Sequence, residues 1–222
     1  ERYYRLAVEA DPRDAHHLGN FAWFLTDIRK DHAEAERYYR LAVEADPRNA
    51  NRLGNFANFL TNIRKDHAEA EGYYRLAVEA DPHHANNLGS FAIFLASIRG
   101  AYDEAEQYYR LAVEADPNHA NSLGNLAGLL FARDSIKEAE TIWQSALALA
   151  DTEPPDLSLE LCFYAYAHLP HRRDEALREV TARLERGERS PGFDLSRNVE
   201  AARRQGHPAP DLVAEFARRI GE

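Results

Sequence analysis

An all-α chain, folded as a right-handed superhelical solenoid of antiparallel helix pairs with a short helical C-terminal cap, is what the sequence predicts on three observations. The string YYRLAVEADP recurs at Tyr3–Pro12, Tyr38–Pro47, Tyr73–Pro82 and Tyr108–Pro117, each copy 35 residues after the last. Between the copies lies a second recurring unit, Ala50 to Leu60, with counterparts starting at Ala15, Ala85 and Ala120. Apolar residues in both units fall at three- and four-residue intervals, the stripe of an amphipathic helix. A period of this length is that of a helical solenoid.

The elements follow in order. Glu1 falls inside a half repeat, a second helix over 1–11 whose partner is absent, and full repeats occupy 12–47, 48–82, 83–117 and 118–151. In the first helix of a repeat Leu53, Phe56, Ala57, Leu60 and Ile63 make the stripe; in the second, Ala70, Tyr73, Tyr74, Ala77 and Val78 do. Asp81-Pro82 ends the second helix, because proline lacks an amide donor and biases the residue before it away from helix. Asp14 or Asn49 stands where an N-cap should open the next one. Segments such as Arg64-Lys65-Asp66 and Arg99-Gly100-Ala101 give tight connections. A worn copy follows, in which Ala139, Glu140, Ile142, Trp143 and Ala146 echo Ala105, Glu106, Tyr108, Tyr109 and Ala112 at a step of 34. The pattern breaks at Thr152-Glu153-Pro154-Pro155. Residues 152–187 read as a degenerate pair, Asp156 to Leu169 and Arg172 to Arg186, and Gly187 to Phe193 as a linker. The remainder of 188–222 holds two short capping helices, one from Asp194 through Leu195, Val199 and Ala202, the other from Asp211 with Leu212, Phe216 and Ile220 on one face.

These residues resemble the tetratricopeptide repeat family. Leu88, Phe91, Ala92 and Leu95 fill the family's first-helix positions, Gly100 and Tyr102 its turn, and Ala105, Tyr109, Ala112 and Pro117 its second helix. Two departures stand out: Leu replaces the usual first Trp, and each unit has one extra residue, expected in the surface turn, where an insertion costs little. The resemblance covers Glu1 to about Asp151 and implies that first helices line a continuous concave groove.

Composition narrows the function. At 222 residues, 45% hydrophobic and 29% charged, with 11 Gly and 10 Pro, the chain can bury a core. A formal charge of −10 lacks the basic footprint that nucleic acid requires. No apolar run reaches the roughly 20 residues of a membrane helix, and no leader opens the chain. The single Cys162 makes no internal disulfide, which points to a reducing, cytoplasmic setting. The histidines, among them His16-His17, His32, His67, His83-His84 and the His168/His171 pair, read as solvated or helix-end residues. They lack the convergence of a zinc site. Carboxylate pairs such as Glu34/Glu36 and Glu104/Glu106 read as a solvated face, and Cys162 as a packed thiol with a raised pKa. No phosphate loop or nucleophile elbow appears. The expectation is a non-enzyme without cofactor or metal.

Opposite the stripe, at about 100° per residue, stand Asn51, Asn55, Asn58 and Asn62. Equivalent strips are His16, Asn20, Trp23 and Asp27; Asn86, Ser90, Ile93 and Ser97; and Asn121, Asn125, Gly128 and Ala132. A Gly recurs mid-helix at Gly19, Gly54, Gly89 and Gly124, each costing about 1 kcal/mol against Ala. Two readings fit: Gly admits a neighbouring helix, or Gly leaves room for a peptide held by the asparagine amides. The ladder resembles that of peptide-binding transferases with repeat superhelices. It does not resemble the Lys/Arg clamp of chaperone-binding members, since the strips hold no Lys or Arg. Four rungs at about 0.5–1.5 kcal/mol fall short of an association cost of about 4–15 kcal/mol, so Trp23 is the expected anchor. Trp23 packing beneath the preceding unit is the competing reading. Trp143 belongs to the core side.

The function expected is a protein-interaction scaffold or adaptor, the recognition part of a larger protein, binding an extended peptide or partner protein in the groove. A sensor domain regulating a fused effector, or a self-assembly module, is the alternative. The open stripe at Tyr3, Leu6 and Ala7 predicts weak end-to-end association.

Overall fold

The computed structural model describes residues 1–149, 155–191 and 194–222, the side chains of 155–157 excepted. The expected break at 152–155 falls largely outside the described residues, as do residues 192–193 of the linker. Among the described residues all regular structure is helical, as predicted, in two compact units, Glu1–Ala101 and Tyr102–Glu222.

The first unit holds α1 (Arg2–Ala10), α2 (Ala15–Phe24), α3 (His32–Ala45), α4 (Ala50–Phe59), α5 (His67–Ala80) and α6 (Ala85–Phe94). Helices α2 and α3 pair, as do α4 and α5. The pairs close tightly because Ala22, Ala35, Ala42, Ala57, Ala70 and Ala77 are fully buried at their contacts. The Tyr-Tyr dipeptide faces two ways. Tyr4, Tyr39 and Tyr74 lie against the phenylalanines of the following first helix, with Tyr39 5.9 Å from Phe56 and 5.1 Å from Phe59. Tyr38 and Tyr73 lie against the preceding one, each 4.7 Å from Phe21 or Phe56. Caps form as expected: Asp14 accepts from the His17 amide and Asn49 from that of Arg52, and His84 serves α6 in the same way.

The extra residue lies inside the first helix rather than in a surface turn. Leu25–Arg29, Leu60–Arg64 and Leu95–Arg99 are π turns. Lys30, Lys65 and Gly100 follow in the left-handed region at φ 56°, 58° and 64°. The amides of Asp31, Asp66 and Ala101 reach back six residues to the carbonyls of Leu25, Leu60 and Leu95. Thr26 and Thr61 hydroxyls donate to the carbonyls of Ala22 and Ala57, both at 2.9 Å, engaging backbone acceptors that the wider turn displaces. In the step-34 copy the Ser135 amide reaches only five residues, to Leu130, and the helix stays α to Ala132. Ile63, expected in the core, is therefore exposed.

The second unit holds α7 (Tyr102–Ala115), α8 (Ala120–Ala132), α9 (Ile136–Leu149), α10 (Pro155–His168), α11 (Arg173–Glu185), α12 (Ser196–Arg204) and α13 (Pro210–Gly221). Helices α8 and α9 pair, as do α10 and α11, and α13 packs on α10 and α11. The buried face of α13 is Val213, Phe216 and Ile220; Leu212, placed there by the sequence reading, is only half-buried. Helix α12 turns back onto α8.

Two further expectations are corrected. Glu36 and Glu106 do not form a solvated face: Glu36 pairs with Arg40 and Arg64, Glu106 with Arg110 and Arg133, so each carboxylate joins two helices. His168 is buried rather than solvated, stacked on Phe131 at 5.0 Å.

Candidate functional site

Helix α4 turns Leu53, Phe56 and Ala57 inward, and its capped start at Asn49 sets the rotation that leaves Asn51 and Asn55 exposed; in the π turn that follows, Leu60 is buried and Asn62 exposed. The four asparagines are not equivalent. Asn58 is half-buried and accepts a hydrogen bond from the Tyr74 hydroxyl at 2.7 Å. The Asn51 oxygen lies 2.9 Å from His84 Nε2 on α6. Asn55 and Asn62 are exposed, and among the described residues their amides have no side-chain hydrogen bond.

On α2 the strip is His16, Asn20, Trp23 and Asp27. Asn20 and His16 bond to each other at 2.9 Å, Asp27 is exposed, and Trp23 is 51% exposed, so it is not packed beneath another unit. Arg52 of α4 reaches His16 Nδ1 at 2.9 Å, bringing a cation beside a strip whose own positions hold none. On α6, Asn86 and Ile93 are exposed and Ser90 is half-buried.

The glycine question divides in favour of helix packing. A Cβ on Gly54 would stand 2.1 Å from Oδ1 of Asn87, a buried residue of α6 whose Nδ2 donates to the Ala50 carbonyl at 2.9 Å. At Gly19 the Arg52 side chain fills the equivalent space, with Cδ at 2.9 Å. Both glycines admit a neighbouring side chain and leave no vacancy for a peptide.

In the second unit Asn121 is exposed and Asn125 half-buried, but the next two rungs are covered. Gly128 accommodates the Tyr164 ring, whose hydroxyl would stand 2.3 Å from a Cβ there. Asn198 of α12 donates to the Gly128 carbonyl at 2.9 Å, and Arg204 to that of Ala132 at 3.0 Å. His168 bridges Asn198 and Gln205, and Gln205 also donates to Asp134. Burial pushes the His168 imidazole down to about 4. His207, between α12 and α13, is lowered for the same reason and bonds to the Tyr166 carbonyl at 3.1 Å. The sequence reading missed this cluster, because its members are 30 to 74 residues apart in pairs that no periodicity links.

The remaining expectations fall as follows. Trp143 is buried and donates to the Leu161 carbonyl at 2.8 Å. Burial raises the Cys162 thiol, as expected. At the start of the chain Tyr3 and Leu6 are 85% and 48% exposed, while Ala7 is half-buried. Among the described residues no helix is long and apolar enough to cross a membrane.

A family model described as tetratricopeptide repeat matches residues 17–49, and a second of the same description matches residues 96–159. Among curated proteins no relative matches the chain. Many solved structures share the fold, three of them as follows. PilF of Pseudomonas aeruginosa is 20% identical with a TM-score of 0.68, over 82% of this chain and 80% of that one. PilW, described as a type IV pilus biogenesis factor, is 20% identical with a TM-score of 0.66, over 82% and 81%. YrrB, described as a TPR protein with an unusual peptide-binding site, is 16% identical with a TM-score of 0.59, over 96% and 97%. The recurring helix pair and its small-residue contacts agree with these matches, and the chain carries tetratricopeptide repeats at residues 17–49 and 96–159.

Proposed function

We propose that the chain is a non-catalytic scaffold that takes an extended peptide segment of a partner protein along the first-helix strip of its first unit. The carrying observation is Trp23, a large aromatic left half in solvent on a helix whose other large apolar residues are mostly buried. Asn55 and Asn62, with unspent amides, supply backbone recognition, and Trp23 supplies the anchor. His16, Asn20 and Asp27 flank it, and Asn86 and Ser90 extend the strip. Asn121 and Asn125 are the rungs left uncovered in the second unit. The single Cys162 favours a reducing compartment.

Loss of an aromatic anchor costs about 2 kcal/mol or more, roughly thirtyfold in affinity. Capture of partner proteins by the wild-type chain is therefore expected to fall by at least that factor in the Trp23→Ala/Asn55→Ala variant, with helix content unchanged by circular dichroism. Unaltered capture would move the site elsewhere. A regulatory reading has one observation in its favour, helix α12 lying on the α8 strip.

Self-association at this end rests on Tyr3: Tyr38 and Tyr73, its repeat equivalents, each cover a phenylalanine, and Tyr3 covers none among the described residues, while Leu6 is as exposed as its equivalents Leu76 and Leu111. Sedimentation velocity at rising concentration is expected to show a mass increase that Tyr3→Ser/Leu6→Ser removes. A concentration-independent monomer refutes it.

A further inference from the structure

The worn pair α10 and α11 departs from the repeat at two places. Setting Ala176 against Ala35 and Ala70 puts Glu179 where Tyr38 and Tyr73 stand, and Arg183 where Ala42 and Ala77 stand. In the regular pairs the alanine is buried and lets two helices close, and the tyrosine covers a ring of its own first helix, Tyr73 at 4.7 Å from Phe56. In α11 a long side chain replaces the small one and a carboxylate replaces the ring. A cavity of about 200 Å³ lies at this place, lined by residues of α9, α10 and α11.

Its apolar walls come from Trp143, Leu147, Ala165 and Ala176. The Arg172 guanidinium lies over the Trp143 ring at 5.1 Å, as that of Arg40 lies over Phe56, but among the described residues no second ring joins Trp143. Both signs of charge stand around the cavity. Arg172 and Arg183 line it, and the Nε of each is buried without a hydrogen-bond partner among the described residues. Their terminal nitrogens are engaged, Arg172 at 3.8 Å from Glu175 and Arg183 at 2.9 Å from Glu188. Glu179 also lines the cavity, is exposed, and pairs with no cation among the described residues. A buried donor left unmade costs free energy, so unbonded guanidinium nitrogens beside a cavity call for an acceptor.

We propose that this cavity binds a free aromatic amino acid. The ring fills the place of the missing tyrosine against Trp143, where the Arg172 guanidinium favours an aromatic face. The carboxylate accepts from Arg183, and the ammonium donates to Glu179. These two residues are one helical turn apart, about 6 Å along the axis, close enough for both charged groups of one α-amino acid. The volume falls below the roughly 300–1,000 Å³ of sites for drug-sized ligands, which suits a ligand of one residue. A phenylalanine inside a partner's chain would bring the ring with neither the ammonium nor the carboxylate. None of these residues belongs to the Trp23 strip, and neither site requires the other.

In the Trp23→Phe chain Trp143 is the single indole, and its emission is expected to change saturably on titration with L-phenylalanine. Phenethylamine, which lacks the carboxylate, and phenylpropionate, which lacks the ammonium, are each expected to bind roughly tenfold more weakly. Leucine, which lacks the ring, is expected to lose about as much. Arg183→Gln is expected to weaken phenylalanine roughly tenfold and leave phenethylamine unchanged, and Glu179→Gln to weaken phenylalanine similarly and leave phenylpropionate unchanged. Retained binding of the singly charged analogue shows that the cavity persists in each variant. No saturable change at millimolar phenylalanine would overturn the proposal, as would equal affinity for the three ring compounds or for leucine.

Discussion

Phe56→Ala is expected to destabilise the first unit by about 3–5 kcal/mol, the range for removing a buried aromatic ring. Phe56 is fully buried and touches both directions of the array: Tyr39 at 5.9 Å, Tyr73 at 4.7 Å, and the Arg40 guanidinium at 5.1 Å over its face. Arg40 is itself held by Glu36 and Glu69, so losing the ring also loosens an ion pair between α3 and α5. Solenoid stability is a sum of repeat and interface contributions, and this substitution removes a share of each. Urea denaturation followed by circular dichroism measures it. A loss under 1 kcal/mol would mean that the ring contacts do not couple the helices, whereas Ile63→Ser, at a side chain 37% exposed, is expected to cost only about 1 kcal/mol.

Acidification is expected to weaken the second unit with a defined window. His168 has a folded pKa of about 4 against an ordinary value of 6.5, so between these values the unfolded chain binds the proton and the folded one does not. Stability is therefore fully present above pH 6.5 and falls as pH drops to about 4, by about 3 kcal/mol at 1.36 kcal/mol per unit. His207 is shifted in the same direction and adds to the loss. Because His168 holds Asn198 and Gln205, the docking of α12 on α8 should weaken first. Denaturation midpoints measured at pH 7 and pH 4.5 are expected to differ clearly in the wild-type chain and less in His168→Gln, which stays neutral. An identical difference in the two proteins would assign the acid sensitivity to other groups, His207 first among them.

The helix pairs, their caps and most of their buried faces were legible in the chain, because each depends on residues within one or two turns. Periodicity marked Leu53, Phe56, Ala57 and Leu60 as inward, and Asp14 and Asn49 as caps, with no knowledge of the neighbours. The strip opposite was legible for the same reason at Trp23 and Asn55, which are exposed where an α-helix places them, while Asn62 is exposed within the π turn. The division between spent and unspent amides was not. Asn58 and Asn51 are engaged by Tyr74 and His84, from the next two helices in the chain.

Three matters escaped the hydrophobic pattern, and two of them rested on contacts between distant residues. The thirty-fifth residue of each repeat could enter a turn or a helix at similar cost; the Thr26 and Thr61 hydroxyls and the left-handed Lys30, Lys65 and Gly100 accompany the π turn, which puts Ile63 in solvent. The mid-helix glycines could serve a ligand or a neighbour, and the side chains of Asn87 and Arg52 occupy the space at Gly54 and Gly19. Helix α12 could have capped the array alone, and instead it lies on α8 through Asn198, His168 and Gln205. Helix formation is governed by short-range backbone bonding and side-chain periodicity. The placing of a buried polar group depends on which partner, however far along the chain, satisfies its hydrogen bonds.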